Sequence, residues 1–205
     1  MCKPLEEKLK NIITSELNGL KCANCSWQTA NTSNSHNFIR KNISIQKEYK
    51  YIEYTEWDEK KPGCVAIGFN PAETNPEVID QTNQKIKEAL NLQGFGSYIL
   101  LNLYPQVSSE KKNWMEGDCE DEKYRELFGD LLIKVENSNK AVLIFWGRTV
   151  AIESYVYKFL KNIRSQRRLF ITVKKGTTMH YHPARVNIEI IEATSESFIE
   201  TYSVK

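Results

Sequence analysis

Cys64-Val65-Ala66-Ile67-Gly68-Phe69-Asn70-Pro71 decides how this chain is read. Its first four residues are apolar without interruption, which suits a strand covered on both faces, as in a parallel sheet. Gly68 then permits close backbone approach, and Pro71 removes a donor and fixes a dihedral. Between them Asn70 carries both a donor and an acceptor. A buried strand that ends in polar loop residues is the arrangement from which α/β proteins build their sites, beyond the carboxyl ends of strands.

Three further runs share this form. Tyr98-Ile99-Leu100-Leu101-Asn102-Leu103 is the second expected core strand, Ala141-Val142-Leu143-Ile144-Phe145-Trp146 the third, and Arg168-Leu169-Phe170-Ile171-Thr172-Val173 the fourth. Asn187 to Ile191 is a short fifth candidate. Helical patterns are expected from about Pro76 to Leu92, with Asp80 inside it, and at Asp121–Val135, Val150–Ile163 and Ser195–Tyr202. This alternation predicts a three-layer α/β/α sandwich around a mostly parallel sheet of four or five strands. Upstream, Leu5, Leu9, Ile12, Ile13 and Leu17 predict an amphipathic helix from Pro4 to about Asn18. The Asn-, Ser- and Thr-rich Lys21–Asn37 segment reads as a long loop. Phe38–Gln46 and Tyr49–Trp57 then suggest a hairpin or two edge strands. At 205 residues the chain is expected to be a single domain, with residues 1–60 elaborating a core of residues 61–205.

Polar residues gather where these strands end: Asn70 and Pro71, Asn102 and Tyr104, Gly147, and His182-Pro183 after the turn that follows the fourth strand. Asn102 closes an apolar run, and its paired donor and acceptor suit the edge of a nucleobase. Phe69 and Tyr104 offer rings for stacking. His36, His180 and His182 are the chain's three histidines, and alternation aims His180 and His182 to one side of an extended segment. A neutral imidazole can stabilise developing oxygen charge. Glu73 and Asp80 are the carboxylates nearest the first loop. Neither the G-x-G-x-x-G nor the G-x-x-x-x-G-K nucleotide loop is present, and no G-x-S-x-G elbow marks a serine hydrolase.

The formal charge of +2 says little about partners, but its distribution says more. Eight Lys or Arg and no acid fall between Lys158 and Val186, among them Lys174, Lys175 and Arg185, whereas Glu116–Glu122 is acidic. The basic region is either a solvated face or one that meets phosphate. Cys22 and Cys25 have the spacing of half a zinc knuckle with His36 beyond, but no fourth ligand follows at a usual interval. Incidental thiols and no metal are expected. No apolar run spans a membrane and the first residues lack a secretory pattern, so a cytoplasmic protein without a cofactor is expected.

From Asn70-Pro71 through Asn102-Leu103 and Trp146-Gly147 to His182-Pro183, over about residues 60 to 190, the sequence resembles a bacterial family named domain of unknown function 1643 (DUF1643). The same series is similar to the uracil-DNA glycosylase superfamily. That second resemblance implies a glycosylase-like fold and hydrolysis of an N-glycosidic bond in DNA or a nucleotide. Within it Gly68-Phe69-Asn70-Pro71 matches the loop that positions water, with Asn70 in that role. Ile99-Leu100-Leu101-Asn102 matches the strand end that reads the base, Ile144-Phe145-Trp146-Gly147 the apolar W-G strand, and His182-Pro183 the loop whose histidine stabilises the departing base. Ala184-Arg185 stands where that loop has Ser-Pro. A nucleic-acid or nucleotide binder without catalysis is the alternative expectation.

Overall fold

The computed structural model describes residues 25–31, 35–42, 47–71, 80–104, 107, 133, 141–147, 157, 160–161, 168–183 and 186–193. They form an α/β protein whose strands are β1 (Cys25–Asn31), β2 (Ser35–Asn42), β3 (Lys47–Glu56), β4 (Gly63–Gly68), β5 (Ser97–Asn102), β6 (Ala141–Ile144), β7 (Leu169–Lys174) and β8 (Ile188–Ala193). One helix, α1 (Gln81–Leu92), is described in full.

All eight strands lie in one sheet ordered β1-β2-β3-β5-β4-β6-β7-β8. The β4–β5, β4–β6 and β6–β7 pairs are parallel, and the other four are antiparallel. The sheet is therefore mixed and larger than the expected mostly parallel one of four or five strands. The four apolar runs do form the parallel centre, but each flank is closed by an antiparallel neighbour, β3 beside β5 and β8 beside β7. The N-terminal segment accounts for the extra width. β2 and β3 form the anticipated hairpin, yet β3 is interior rather than an edge. Residues 25–31, expected in a loop, are a strand against β2, with Cys25 opposite Asn42 and Asn31 opposite His36. Cross-strand partners supply there what local composition does not.

The centre is buried on both faces, as its unbroken apolar runs require: all six residues of β4 and all six of β5 are buried. One face presents Cys64, Ala66, Tyr98, Leu100, Leu143, Phe145, Phe170 and Ile190 to α1, which contributes Ile86 and Leu90. Those two are one helical turn apart and fully buried, each worth about 1.5–3 kcal/mol by transfer from water. Asp80 is the N-cap of α1 rather than part of the helix: its Oδ1 accepts from the Thr82 amide at 2.8 Å and the Asn83 amide at 3.4 Å. The helix ends before Gly94, as its pattern predicts. The helices expected at 4–18, 121–135, 150–163 and 195–202 fall wholly or mostly outside the described residues, and so does the layering that depends on them.

β3 carries a bulge. Ile39 faces Lys50 and Phe38 faces Ile52, so Tyr51 is an extra residue in the ladder. An extra residue reverses the alternation of side chains on either side of it. Lys50 is thereby brought to the face of Glu53, which pairs opposite Leu100 of β5. There Glu53 is saturated. Its Oε2 accepts from Lys50 Nζ at 2.8 Å, its Oε1 from the Tyr98 hydroxyl at 2.9 Å, and both oxygens from Asn83 Nδ2 at 2.9 Å.

Burial, and next to it the carboxylate of Glu53, push the Tyr98 phenol well above the ordinary tyrosine range. A group raised on folding favours the native state fully below its unfolded pKa, and the benefit is lost as pH climbs through the folded value. The stabilising contribution of Tyr98 should thus be intact up to about pH 10 and fade above it. In an alkaline absorbance titration one tyrosine should resist ionisation until the chain unfolds, and Tyr98→Phe should abolish that late step. A late step that survives the substitution would contradict the assignment.

Candidate functional site

In the parallel centre Gly68 pairs with Asn102, Ile67 with Ile144, and Ile144 with Ile171. The carboxyl ends of β4, β5 and β6 therefore finish nearly level, and β7 continues three residues further, to Lys174. After β4 the chain passes to β5 on one side, then crosses to β6 on the other, so strand order reverses between β4 and β6. Such a reversal opens a crevice beyond the strand ends, because the two connections leave in opposite directions. The residues at its mouth are Gly68 to Pro71 from β4 and Phe145 to Gly147 from β6.

Contacts tie this mouth to two more strand ends. A Cβ built on Gly68 would lie 2.6 Å from Phe145 Cζ and 2.8 Å from Asn102 Oδ1, so glycine is needed for the Asn102 amide and the Phe145 ring to approach the strand end together. Asn102 is 2% exposed, which makes it a deliberate polar group in an apolar wall. The Phe145 ring lies 6.2 Å from the His182 ring. Gly147, at φ 91°, lets His182 pass close by, since a Cβ there would be 3.3 Å from His182 Cβ and 3.4 Å from its backbone nitrogen. Gly68, Asn102, Phe145, Gly147 and His182 thus form one connected set.

His182 arrives by an overshoot. β7 runs past the end of β6 while staying paired with β8, turns between Lys174 and Thr177, and folds back so that His180 bridges to Val173 and the Tyr181 amide donates to Thr172 O at 3.0 Å. The Thr172 hydroxyl donates to Tyr181 O at 2.6 Å and closes the clamp. His180 pins the return. Its Nδ1 donates to Thr172 O at 2.8 Å and its Nε2 accepts from the Gly147 amide at 3.0 Å. With one nitrogen donating and the other accepting, the ring is the neutral Nδ1–H tautomer. Both histidines do meet the same glycine, but His180 is buried and holds the loop, whereas His182 is half-buried beside Phe145. From the other side Lys85 of α1 donates to Pro183 O at 2.9 Å and to Val186 O at 3.4 Å, fastening the loop to the helix.

The remaining candidates divide. Asn70, half-buried, donates from Nδ2 to Pro71 O at 3.2 Å, and Pro71 is buried. The Phe69 and Tyr104 rings meet edge to face at 5.1 Å, and the Tyr104 amide donates to Phe69 O, joining the β4 and β5 exits. Lys174, the last residue of β7, and Lys175, the first beyond it, are exposed, and no bond joins their side chains to the connected set among the described residues. Arg185, Glu73, Pro105 and Cys22 lie outside the described residues. Among those described, no group of three His, Cys, Asp or Glu side chains is placed to hold a metal, and no helix is long and apolar enough to cross a membrane. Sequence reading missed Thr172, Lys85, Lys50 and Glu53. Of these only Thr172, polar within an apolar run, left a local signal.

A mixed-sheet α/β protein with a glycine-backed asparagine at the strand-order reversal is thus the class defined by fold and site. The DUF1643 model, described as protein of unknown function, matches residues 50–183, and the chain belongs to that family. No curated protein matches it. Among solved structures, acetyl xylan esterase 1 from Thermoanaerobacterium sp. JW/SL YS485 is similar at 11% identity and a TM-score of 0.29, over 70% of this chain and 50% of that one. The chain spans about half the length of that enzyme, and so slight a likeness informs neither fold nor function.

Proposed function

We propose that the strand-end site is that of a glycosylase-like hydrolase, which cleaves the N-glycosidic bond of a modified or damaged base in DNA or a nucleotide. The observation that carries this reading is the pairing of a buried Asn102 amide against Gly68 with a half-buried His182 one ring away across Phe145. Asn102 holds the base edge, and Tyr104, half-buried beside Phe69, supplies the stacking surface. Asn70 orients water. The water oxygen attacks the anomeric carbon, the carbon–nitrogen bond breaks with its electron pair passing to the base, and His182 donates a hydrogen bond to the charge that develops. The attacking water releases its proton to solvent and the freed base takes one up. Lys174 and Lys175, both exposed at this end of the sheet, meet phosphate. A base within a duplex would have to leave the stack to reach such a site.

The test is release of free base from a panel of modified DNAs and nucleotides. Asn70→Ala and His182→Ala should each lower turnover about 10²- to 10³-fold, the usual effect of removing one preorganised polar contact. A binder without turnover is the second reading. It is favoured by the side chain at the water position, since the Asn70 amide cannot act as a general base and Glu53, the buried carboxylate, is saturated by its own donors. Tight binding of DNA with no release from any substrate would establish that reading; absence of both would defeat the nucleic-acid assignment.

A further inference from the structure

The structure holds a buried cation on β3, at the end of the sheet where the site lies and outside the connected set. Lys50 is 6% exposed, and among the described residues its ammonium bonds to Glu53 alone, which uses one of three hydrogens. Glu53 has no capacity to take more, being occupied by Asn83, Tyr98 and Lys50. An ammonium withdrawn from water with most of its donors unspent is costly unless a further acceptor meets it.

The location of Lys50 follows from register. Ile52 and Leu101 are the last pair between β3 and β5. Asn102 lies one residue beyond that pair on β5, on the face of Leu100. Lys50 lies two residues beyond it on β3, and the bulge at Tyr51 brings it to that same face through Glu53. Lys50 and Asn102 therefore lie on neighbouring strands at one end of one face, the end at which Gly68 and His182 lie.

We infer that Lys50 is a ligand-contacting residue of this site, its ammonium donating to an acceptor oxygen or ring nitrogen of the bound base, and that Glu53, Asn83 and Tyr98 form the frame that aims it. This rests on the glycosylase-like reading and extends it. Asn102 recognises the base edge in the ground state, while Lys50 gains strength as the bonding pair passes to the base and negative charge appears on it. Lys50 keeps its proton throughout, so the balance of the hydrolysis is unchanged.

Lys50→Met alone would leave Glu53 buried without its cation, and misfolding would then account for a loss of activity equally well; the Lys50→Met/Glu53→Gln double variant removes both charges and keeps an acceptor for Tyr98. It should fold, with a melting temperature above that of Glu53→Gln, which leaves the Lys50 ammonium buried without its counter-charge, and still release base about 10²-fold more slowly than the wild type. Lys50→Arg should retain part of the rate. Binding of free hypoxanthine, xanthine, uracil and thymine, followed by ligand-observed NMR, supplies a readout without turnover, and any base held by the wild type should bind the double variant about tenfold more weakly. Wild-type rate and binding in the folded double variant would overturn the role of Lys50 and leave the glycosylase-like reading standing. A wild-type protein that neither releases nor binds any base would overturn both.

Discussion

Glu53→Ala should destabilise the native state by about 3–5 kcal/mol, the cost of leaving a buried charge without its partner. Four donors converge on this carboxylate: the Lys50 ammonium, the Tyr98 hydroxyl, the Asn83 side-chain amide and, at 3.3 Å, the Thr55 hydroxyl. Both charged side chains of the ion pair are almost wholly withdrawn from water, at 7% and 6% exposure, so solvent screening offers little relief. For a chain of this size the loss corresponds to a fall of about 10 °C or more in melting temperature. Tyr98→Phe removes one hydrogen bond and should cost about 1–2 kcal/mol. The two changes share a contact, so in a urea-denaturation double-mutant cycle their effects should fall short of additive. A cost below about 1 kcal/mol for Glu53→Ala, the range of an exposed ion pair, would mean that water reaches the cluster.

This cluster marks where the sequence stops being legible. The strands β4, β5, β6 and β7 announce themselves because a doubly covered strand must be apolar along its length, and each run ends within two residues of the observed strand end. Strand direction leaves no comparable trace. Nothing local to Lys47–Glu56 says that it runs against β5, and nothing in Ile188–Ala193 says that it runs against β7. The polar residues 25–31 look like a loop because their partner, β2, lies beyond the window that periodicity samples. Asn102 and His182 were legible as site candidates for a different reason: one interrupts an apolar run, and the other belongs to a scarce residue type. Lys50 and Glu53 were not. Alternation alone sends them to opposite faces, and only the bulge at Tyr51, which depends on pairing with Phe38 and Ile39, sets them side by side. His180 and His182 share one motif in the sequence, and tertiary bonds to Thr172 and Gly147 are what separate the ring that builds the loop from the one left at the crevice.

Gly68→Ala should damage the site more than any other single-methyl change. The added carbon would stand 2.6 Å from Phe145 Cζ, 2.9 Å from its Cε2 and 2.8 Å from Asn102 Oδ1, all inside van der Waals contact. None of these neighbours is the loose end of a flexible chain. Phe145 is 3% exposed within the core cluster, and Asn102 is fixed at the end of a strand whose six residues are all buried. Overpacking of this kind costs about 1–3 kcal/mol. The fold should survive it, because the backbone bonds from Leu103 to Gly68 O and from Phe145 to Ile67 O do not involve the new methyl. The site should not. Relief requires Phe145 to tilt towards His182 or Asn102 to withdraw from the crevice, and displacing a reacting group by about 1 Å can cost 10²-fold in rate. The expected result is a folded protein with a modestly lowered melting temperature, in which base release, or base binding if there is no turnover, falls about 10²-fold. Gly94→Ala is the control for a glycine substitution away from the site: unlike Gly68 it has positive φ, at 84°, and nothing lies within 4 Å of the added carbon, so stability should suffer while the chemistry of the folded fraction is kept. Equal activity losses in the two variants, each corrected for the folded fraction, would show that the strand-end packing of Gly68, Asn102 and Phe145 has no part in the function.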